Sequence, residues 1–183
     1  MPNLPSIDTS WTLFLDRDGV INKEKHLGYI NNWNEFELYE GVTDAFKIFA
    51  LKFGLLFIVT NQRGIAKGIT KLSDFITIHD NLKDSLLSTG GRIDQIYYCS
   101  DLEDDSSNRK PNPGMALQAK RDYPSIDFSK SIMVGNTISD MNFGRNAGIA
   151  FNVFLPTTIQ EMLFPDPVID FVFPSLVAFA NAL

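Results

Sequence analysis

Apolar residues in this chain cluster in two alternating ways, as short unbroken runs and as longer stretches with helical spacing. Runs at 11–15, 55–59, 95–99, 131–134 and 150–155 carry almost no polar interruption, the pattern of strands covered on both faces rather than one. Between the first two runs, Val42, Ala45, Phe46, Phe49 and Phe53 recur at helical spacing, predicting a helix over 42–53 with Gly54 as its stop. Leu72, Phe75, Ile76, His79, Leu82 and Leu86 mark a second long helix, closed by Gly90-Gly91, and place His79 at a core or boundary position. Asn112 and Pro113 read as the cap and first position of a helix running through Met115, Leu117 and Ala119 to Tyr123. A short helix over about 139–147 ending at Gly148, an edge strand over 168–172 and a last helix over 175–182 complete the series. Strand and helix in repeated alternation predict an α/β fold, a doubly wound parallel sheet with helices on both faces.

The strand ends carry the chemistry. Open parallel sheets place their ligands just past the carboxyl ends of the strands, and polar residues gather at four such ends. These are Asp16 with Asp18, Thr60-Asn61-Gln62-Arg63, Arg109-Lys110 after an acidic loop, and Asn136 with Asp140. Asp16-Arg17-Asp18-Gly19 alone reads equally well as a turn. Four sets at one sheet edge match what phosphoryl transfer through an aspartyl-phosphate requires. In that scheme Asp16 attacks phosphorus. Asp18 protonates the leaving oxygen and later takes a proton from water, with its pKa raised by the neighbouring carboxylate. Lys110 and the Thr60 hydroxyl balance and bind the phosphoryl oxygens. Two carboxylates so close call for a cation, and magnesium suits oxygen ligands from Asp16, the Asp18 main-chain carbonyl, and Asn136 or Asp140.

Composition narrows the partners. The 183 residues are 44% hydrophobic with a formal net charge of −6, enough for a full core in one domain spanning 1–183 and no basic field for nucleic acid or anionic membrane. A small phosphorylated metabolite is the expected substrate. Cys99 is the single cysteine and cannot form an internal disulfide. The first residues lack the basic and apolar segments of a signal peptide, and no apolar run approaches the roughly 20 residues of a membrane span, so a cytoplasmic monomer or homodimer is expected. Only about twenty residues separate Asn22 from the first helix, which leaves no room for an inserted cap domain. The polar, aromatic-studded loop over 23–37, with His26, Gly28, Tyr29 and Trp33, is a candidate flap over the strand ends.

Taken together, several segments resemble the haloacid dehalogenase-like phosphatases, and within them the small cap-less branch of heptose bisphosphate and histidinol phosphate phosphatases. They are Leu15-Asp16-Arg17-Asp18-Gly19-Val20-Ile21-Asn22, Val59-Thr60-Asn61-Gln62 with Gly64-Ile65-Ala66-Lys67-Gly68, Tyr97-Tyr98-Cys99, Arg109-Lys110-Pro111 with Pro113-Gly114-Met115, and Met133-Val134-Gly135 with Asp140-Met141. The resemblance implies Asp16 as nucleophile, Asp18 as general acid and base, and Thr60 and Lys110 as phosphate-binding groups. It also implies substrate contacts from Gly28, Tyr29, Asn61, Gln62, Arg63 and Arg109, with magnesium as cofactor. Two departures stand out. A Cys/His zinc cluster common before Arg-Lys-Pro in this branch is reduced to Cys99, with Asp101, Ser106 and Asn108 nearby, so no zinc is expected. The fourth motif, usually Gly-Asp, reads Gly135-Asn136, which keeps a metal-binding oxygen but removes a charge.

Overall fold

The computed structural model describes residues 4–25, 28–158 and 166–183. Six parallel strands form one sheet in the order β3-β2-β1-β4-β5-β6. They are β1 (Thr12–Leu15), β2 (Leu55–Asn61), β3 (Gln95–Cys99), β4 (Ser131–Gly135), β5 (Phe151–Phe154) and β6 (Phe171–Val172). The helices are α1 (Val42–Lys52), α2 (Arg63–Ala66), α3 (Leu72–Ser88), α4 (Gly114–Asp122), α5 (Ile138–Ala147) and α6 (Leu176–Ala180). Because side chains alternate across a strand, the two faces of the sheet have separate cores. Leu13, Leu15, Leu56, Ile58, Ile132 and Val134 pack with α1, α3 and α6, whereas Phe14, Phe57, Val59 and Met133 pack with α4 and α5. Phe49 sits at the centre of the first layer, its ring 5.7 to 6.0 Å from those of Phe46, Phe53 and Phe179.

Between β1 and α1 the described residues form a loop with a 3-10 turn at Trp33–Glu35, so no folded cap stands over the strand ends there. The sheet reverses its winding between β1 and β4, adjacent central strands whose crossovers leave in opposite directions. Asp16 and Asn136 lie just beyond these two strands, at the crevice this reversal opens.

Four sequence expectations shift. Asn112 does not cap α4; Pro113 holds the cap position, and the Asn112 amide donates instead to the Ser106 carbonyl at 2.9 Å, tying down the preceding loop. On α3 the buried face includes Ile78 but not Leu72 or Ile76, because the helix turns Phe75, Ile78, His79, Leu82 and Leu86 inward. The edge strand β6 is two residues rather than five, and α2 was not anticipated, its four residues being too short to show periodicity. His26 and the first three residues lie outside the described residues.

His79 is buried as expected. Its Nδ1 lies 2.7 Å from the Phe75 carbonyl and its ring 4.1 Å from that of Phe75. Burial, with Arg17 next, pushes its pKa down to about 4, against the weaker pull of the Phe75 carbonyl and Asp18. The folded value lies below the unfolded one, so the neutral ring's contribution is complete above about pH 6.5 and fades as pH falls towards 4. Between pH 7 and pH 4 the wild type is expected to lose up to about 3 kcal/mol more stability than His79→Phe. Urea denaturation of both proteins across that range checks this, and parallel pH profiles would contradict it.

Candidate active site

β1 ends by handing Asp16 to the mouth of a cleft of about 450 Å³ lined by Asp16, Asp18, Thr60, Asn61, Arg109, Lys110 and Asp140, together with Glu24 and Thr137 to Ser139. Its floor is a charge triad. The Lys110 Nζ donates at 2.6 Å to Asp16, at 2.6 Å to Asp140 and at 2.9 Å to the Val59 carbonyl, and all three side chains are buried. Burial disfavours the Lys110 ammonium, but Asp140 and Asp16 outweigh it and raise its pKa above the ordinary value. Burial pushes Asp16 up to about 7, opposed by Lys110 and reinforced by Asp140 and Asp18. Asn61 fixes the lysine's backbone from both sides, accepting from the Lys110 N–H at 3.1 Å and donating to its carbonyl at 3.2 Å.

Asp140 is spent on positioning. While one oxygen accepts from Lys110, the other accepts from the Thr137 N–H at 3.0 Å, the Thr137 hydroxyl at 2.7 Å and the Asn136 N–H at 3.2 Å. This is a capping box at the start of α5. Both Asp140 oxygens, expected from the sequence to help hold magnesium, are engaged by Lys110 and the start of the helix. Thr137, three residues before Asp140, was legible in the sequence as that cap and was not singled out.

Asp18 departs further from expectation. Arg17, almost wholly buried, donates to both Asp18 oxygens at 2.8 Å, and the amides of Asn22 and Gln62 each donate at 3.0 Å. Burial alone would raise the Asp18 carboxyl, but Arg17, Asn22 and Gln62 prevail and hold it below the usual carboxylate range. The neighbouring carboxylate therefore does not set the Asp18 pKa as anticipated. Arg17 is the residue sequence reasoning passed over, although an arginine between two acids at the end of an apolar run already signals a buried counter-ion. It lies under the Phe36 ring, 5.7 Å from its centroid.

The other candidates divide into two groups. Gln62 points inward, donating to Thr60 Oγ1 at 2.9 Å as well as to Asp18. Tyr29 does not line the cleft; its hydroxyl accepts from Lys67 at 3.1 Å and its ring packs where Gly64 leaves room, with Gly28 beside it in the same loop. Arg63 and Arg109 both reach Asp104, in the loop before Lys110.

The Asn136 side chain is fully buried beneath Asp18-Gly19. Gly19 has φ of +82°, and a Cβ there would lie 2.0 Å from the Asn136 amide, so only glycine allows this approach. The Asn136 Nδ2 donates to Thr158 Oγ1, whereas its Oδ1 is buried with no hydrogen-bond partner. Asn136 does not line the cleft, but a buried, orphaned amide oxygen against the Gly19 turn that follows Asp18 is the kind of ligand a hard divalent cation prefers. Among the described residues no three Asp, Glu, His or Cys side chains gather as metal ligands, so amide and main-chain oxygens would have to contribute. Cys99 is buried and free.

Comparison with known proteins follows the same lines. The family model described as polynucleotide kinase 3 phosphatase matches residues 12–157. The chain is 42% identical over 137 residues to the D-glycero-alpha-D-manno-heptose-1,7-bisphosphate 7-phosphatase of Campylobacter jejuni, covering 75% of this chain and 77% of that one. It is 37% identical over 151 residues to the corresponding beta-heptose phosphatase of Helicobacter pylori, covering 81% and 85%. The crystal structure of the D,D-heptose 1,7-bisphosphate phosphatase of B. bronchiseptica, complexed with magnesium and phosphate, superposes with a TM-score of 0.81. It is 24% identical and covers 94% of this chain and 97% of that one, a likeness of fold. With a buried aspartate and lysine at the sheet edge and relatives this close over three quarters of its length, the chain belongs to the polynucleotide kinase 3 phosphatase family and is a haloacid dehalogenase-like phosphatase.

Proposed function

We propose that this phosphatase is a magnesium-dependent phosphomonoesterase that removes the 7-phosphate of a heptose 1,7-bisphosphate, carrying the phosphoryl group transiently on Asp16. The observation that carries the catalytic part is the Lys110 ammonium shared between Asp16 and Asp140 at the floor of an open cleft. The sugar follows from the activities of the relatives in Campylobacter and Helicobacter.

In this reading the carboxylate of Asp16 attacks phosphorus, and Lys110 offsets the charge on the phosphoryl oxygens. The Thr60 oxygen already accepts from Gln62, leaving its own proton to donate to a phosphoryl oxygen. Asp18 protonates the departing sugar oxygen. To do so it must leave the Arg17, Asn22 and Gln62 donors that keep it ionised and take up a proton beside the incoming phosphate, whose negative charge raises a neighbouring carboxyl pKa. It then accepts a proton from the water that hydrolyses the acyl phosphate. Magnesium, held by Asp16, the Asp18 main-chain carbonyl and Asn136 Oδ1, would supply the remaining charge neutralisation.

Because Asn136 brings an oxygen without a charge, Asn136→Asp is expected to lower the half-saturating magnesium concentration about tenfold. Aspartate can still accept a hydrogen bond from Thr158. Titrating turnover and, separately, calorimetric magnesium binding checks this; an unchanged requirement in both would place Asn136 outside the coordination sphere.

Function is tested by phosphate release from both anomers of heptose 1,7-bisphosphate, histidinol phosphate and a 3′-phosphorylated oligonucleotide, with and without magnesium. The oligonucleotide is included because of the family model's description, although a net charge of −6 disfavours a polyanion. Preference for a heptose bisphosphate, at least about a hundredfold in kcat/KM over the others, is the expected outcome. Equal or better turnover of histidinol phosphate or the oligonucleotide would reject the sugar.

A further inference from the structure

In the loop before Lys110 an arginine pair closes on one carboxylate. Arg63 Nη2 donates to the Leu102 carbonyl at 2.6 Å and to Asp104 Oδ1, and Arg109 Nε lies 3.6 Å from that same oxygen. Among the described residues Asp104 is the one acid within ion-pair distance of either arginine. The arginine side chains are 24% and 18% exposed, but that of Asp104 is 88% exposed. Two guanidiniums offer ten N–H donors in planar forks. One shared oxygen cannot satisfy them, and Arg63 Nε and Arg109 Nη1 are both buried without a partner. Arg109 also lines the catalytic cleft.

This donor set exceeds the acid that meets it and matches a group with more oxygens and more charge, such as a phosphate dianion. The occupant is also easily displaced, since an ion pair with so exposed a partner contributes little. The Arg63 guanidinium keeps the Asp104 carboxyl below the usual range, so it stays charged at neutral pH and competes with other anions.

We propose that Asp104 is a built-in competitor for the second anionic group of the substrate. It occupies, with its own carboxylate, the Arg63–Arg109 fork that receives the second anionic group of a doubly phosphorylated substrate, and it yields when that group arrives. The proposal rests on the bisphosphatase reading above. It adds that the chain carries its own competitor for the distal phosphate, so that such a group binds only as far as it displaces Asp104, whereas ligands without one are untouched by it.

The test is Asp104→Asn beside Asp104→Glu and the wild type, assayed on heptose 1,7-bisphosphate and on p-nitrophenyl phosphate, which has no second anion. Asp104→Asn is expected to lower KM for the bisphosphate about threefold with kcat unchanged, to leave KM for p-nitrophenyl phosphate unchanged, and to lose its advantage in 0.5 M salt. Asp104→Glu is expected to behave as wild type. A raised KM for the bisphosphate, an equal change for both substrates, or no change would overturn the proposal, the first by making Asp104 a support for the arginines rather than a competitor. A second readout uses inhibition of p-nitrophenyl phosphate hydrolysis by fructose 1,6-bisphosphate and by fructose 6-phosphate. Asp104→Asn is expected to tighten only the former. If heptose bisphosphate is not hydrolysed, the sugar assignment fails while this inhibition pair still decides the role of Asp104.

Discussion

Replacing Lys110 with methionine is expected to lower kcat at least about a thousandfold, the scale on which a single preorganised charge donor acts in a buried site. The variant removes the cation that Asp16, Asp140 and the Val59 carbonyl share. What remains is two buried acids without a counter-charge, so the loss extends to folding. Breaking a buried ion pair by removing one partner costs about 3–5 kcal/mol, or roughly 10 °C in Tm for a chain of this size. Asp16, already raised to about 7 by burial, is then expected to fold as the protonated acid. An acid whose folded pKa lies above its unfolded value favours the folded state below the folded pKa and loses that advantage as pH rises. The Tm deficit of Lys110→Met should therefore be larger at pH 8 than at pH 6. Arginine is not expected to rescue activity, because its planar fork cannot reproduce a point charge meeting three acceptors within 2.9 Å. Full activity in Lys110→Met would remove the triad from the mechanism.

Asp16→Asn is expected to differ in kind. Turnover should fall about ten-thousandfold or more, since the proposed nucleophile is removed and the remaining groups can only bind and polarise. Stability should barely change. The asparagine oxygen can still accept from Lys110, Asp140 continues to neutralise it, and one costly buried charge is gone. A Tm within about 3 °C of wild type, with inorganic phosphate binding retained, is the expected result. A large loss of stability alongside the loss of turnover would instead mean that the carboxylate is chiefly structural.

The contrast between these variants follows from what the sequence revealed and what it did not. The strand ends were legible because a run such as Leu55 to Val59 is apolar on both faces and turns polar at Thr60, one residue before the chain leaves the buried core at Asn61. The gathering of Asp16, Thr60, Lys110 and Asp140 followed from parallel winding, which brings every carboxyl end to one edge. Hidden from the sequence was how the two aspartates divide their surroundings. Asp16 meets a lysine 94 positions away, whereas Asp18 is held by its immediate neighbour Arg17 and by Gln62 from the next strand end. No periodicity encodes which of two nearby carboxylates a distant cation will reach. The capping role of Asp140 rested on a different signal: its spacing from Thr137 is a local helix-start pattern, legible in the sequence without any tertiary information.

If Asp16 carries the phosphoryl group, rapid quenching will catch it there. Enzyme mixed with excess heptose 1,7-bisphosphate and magnesium, quenched in acid within milliseconds and digested for mass spectrometry, is predicted to show a phosphoryl adduct on the peptide containing Asp16. The adduct should form no more slowly than steady-state turnover and be missing from Asp16→Asn. An adduct on another residue, or turnover retained by Asp16→Asn, would contradict the account.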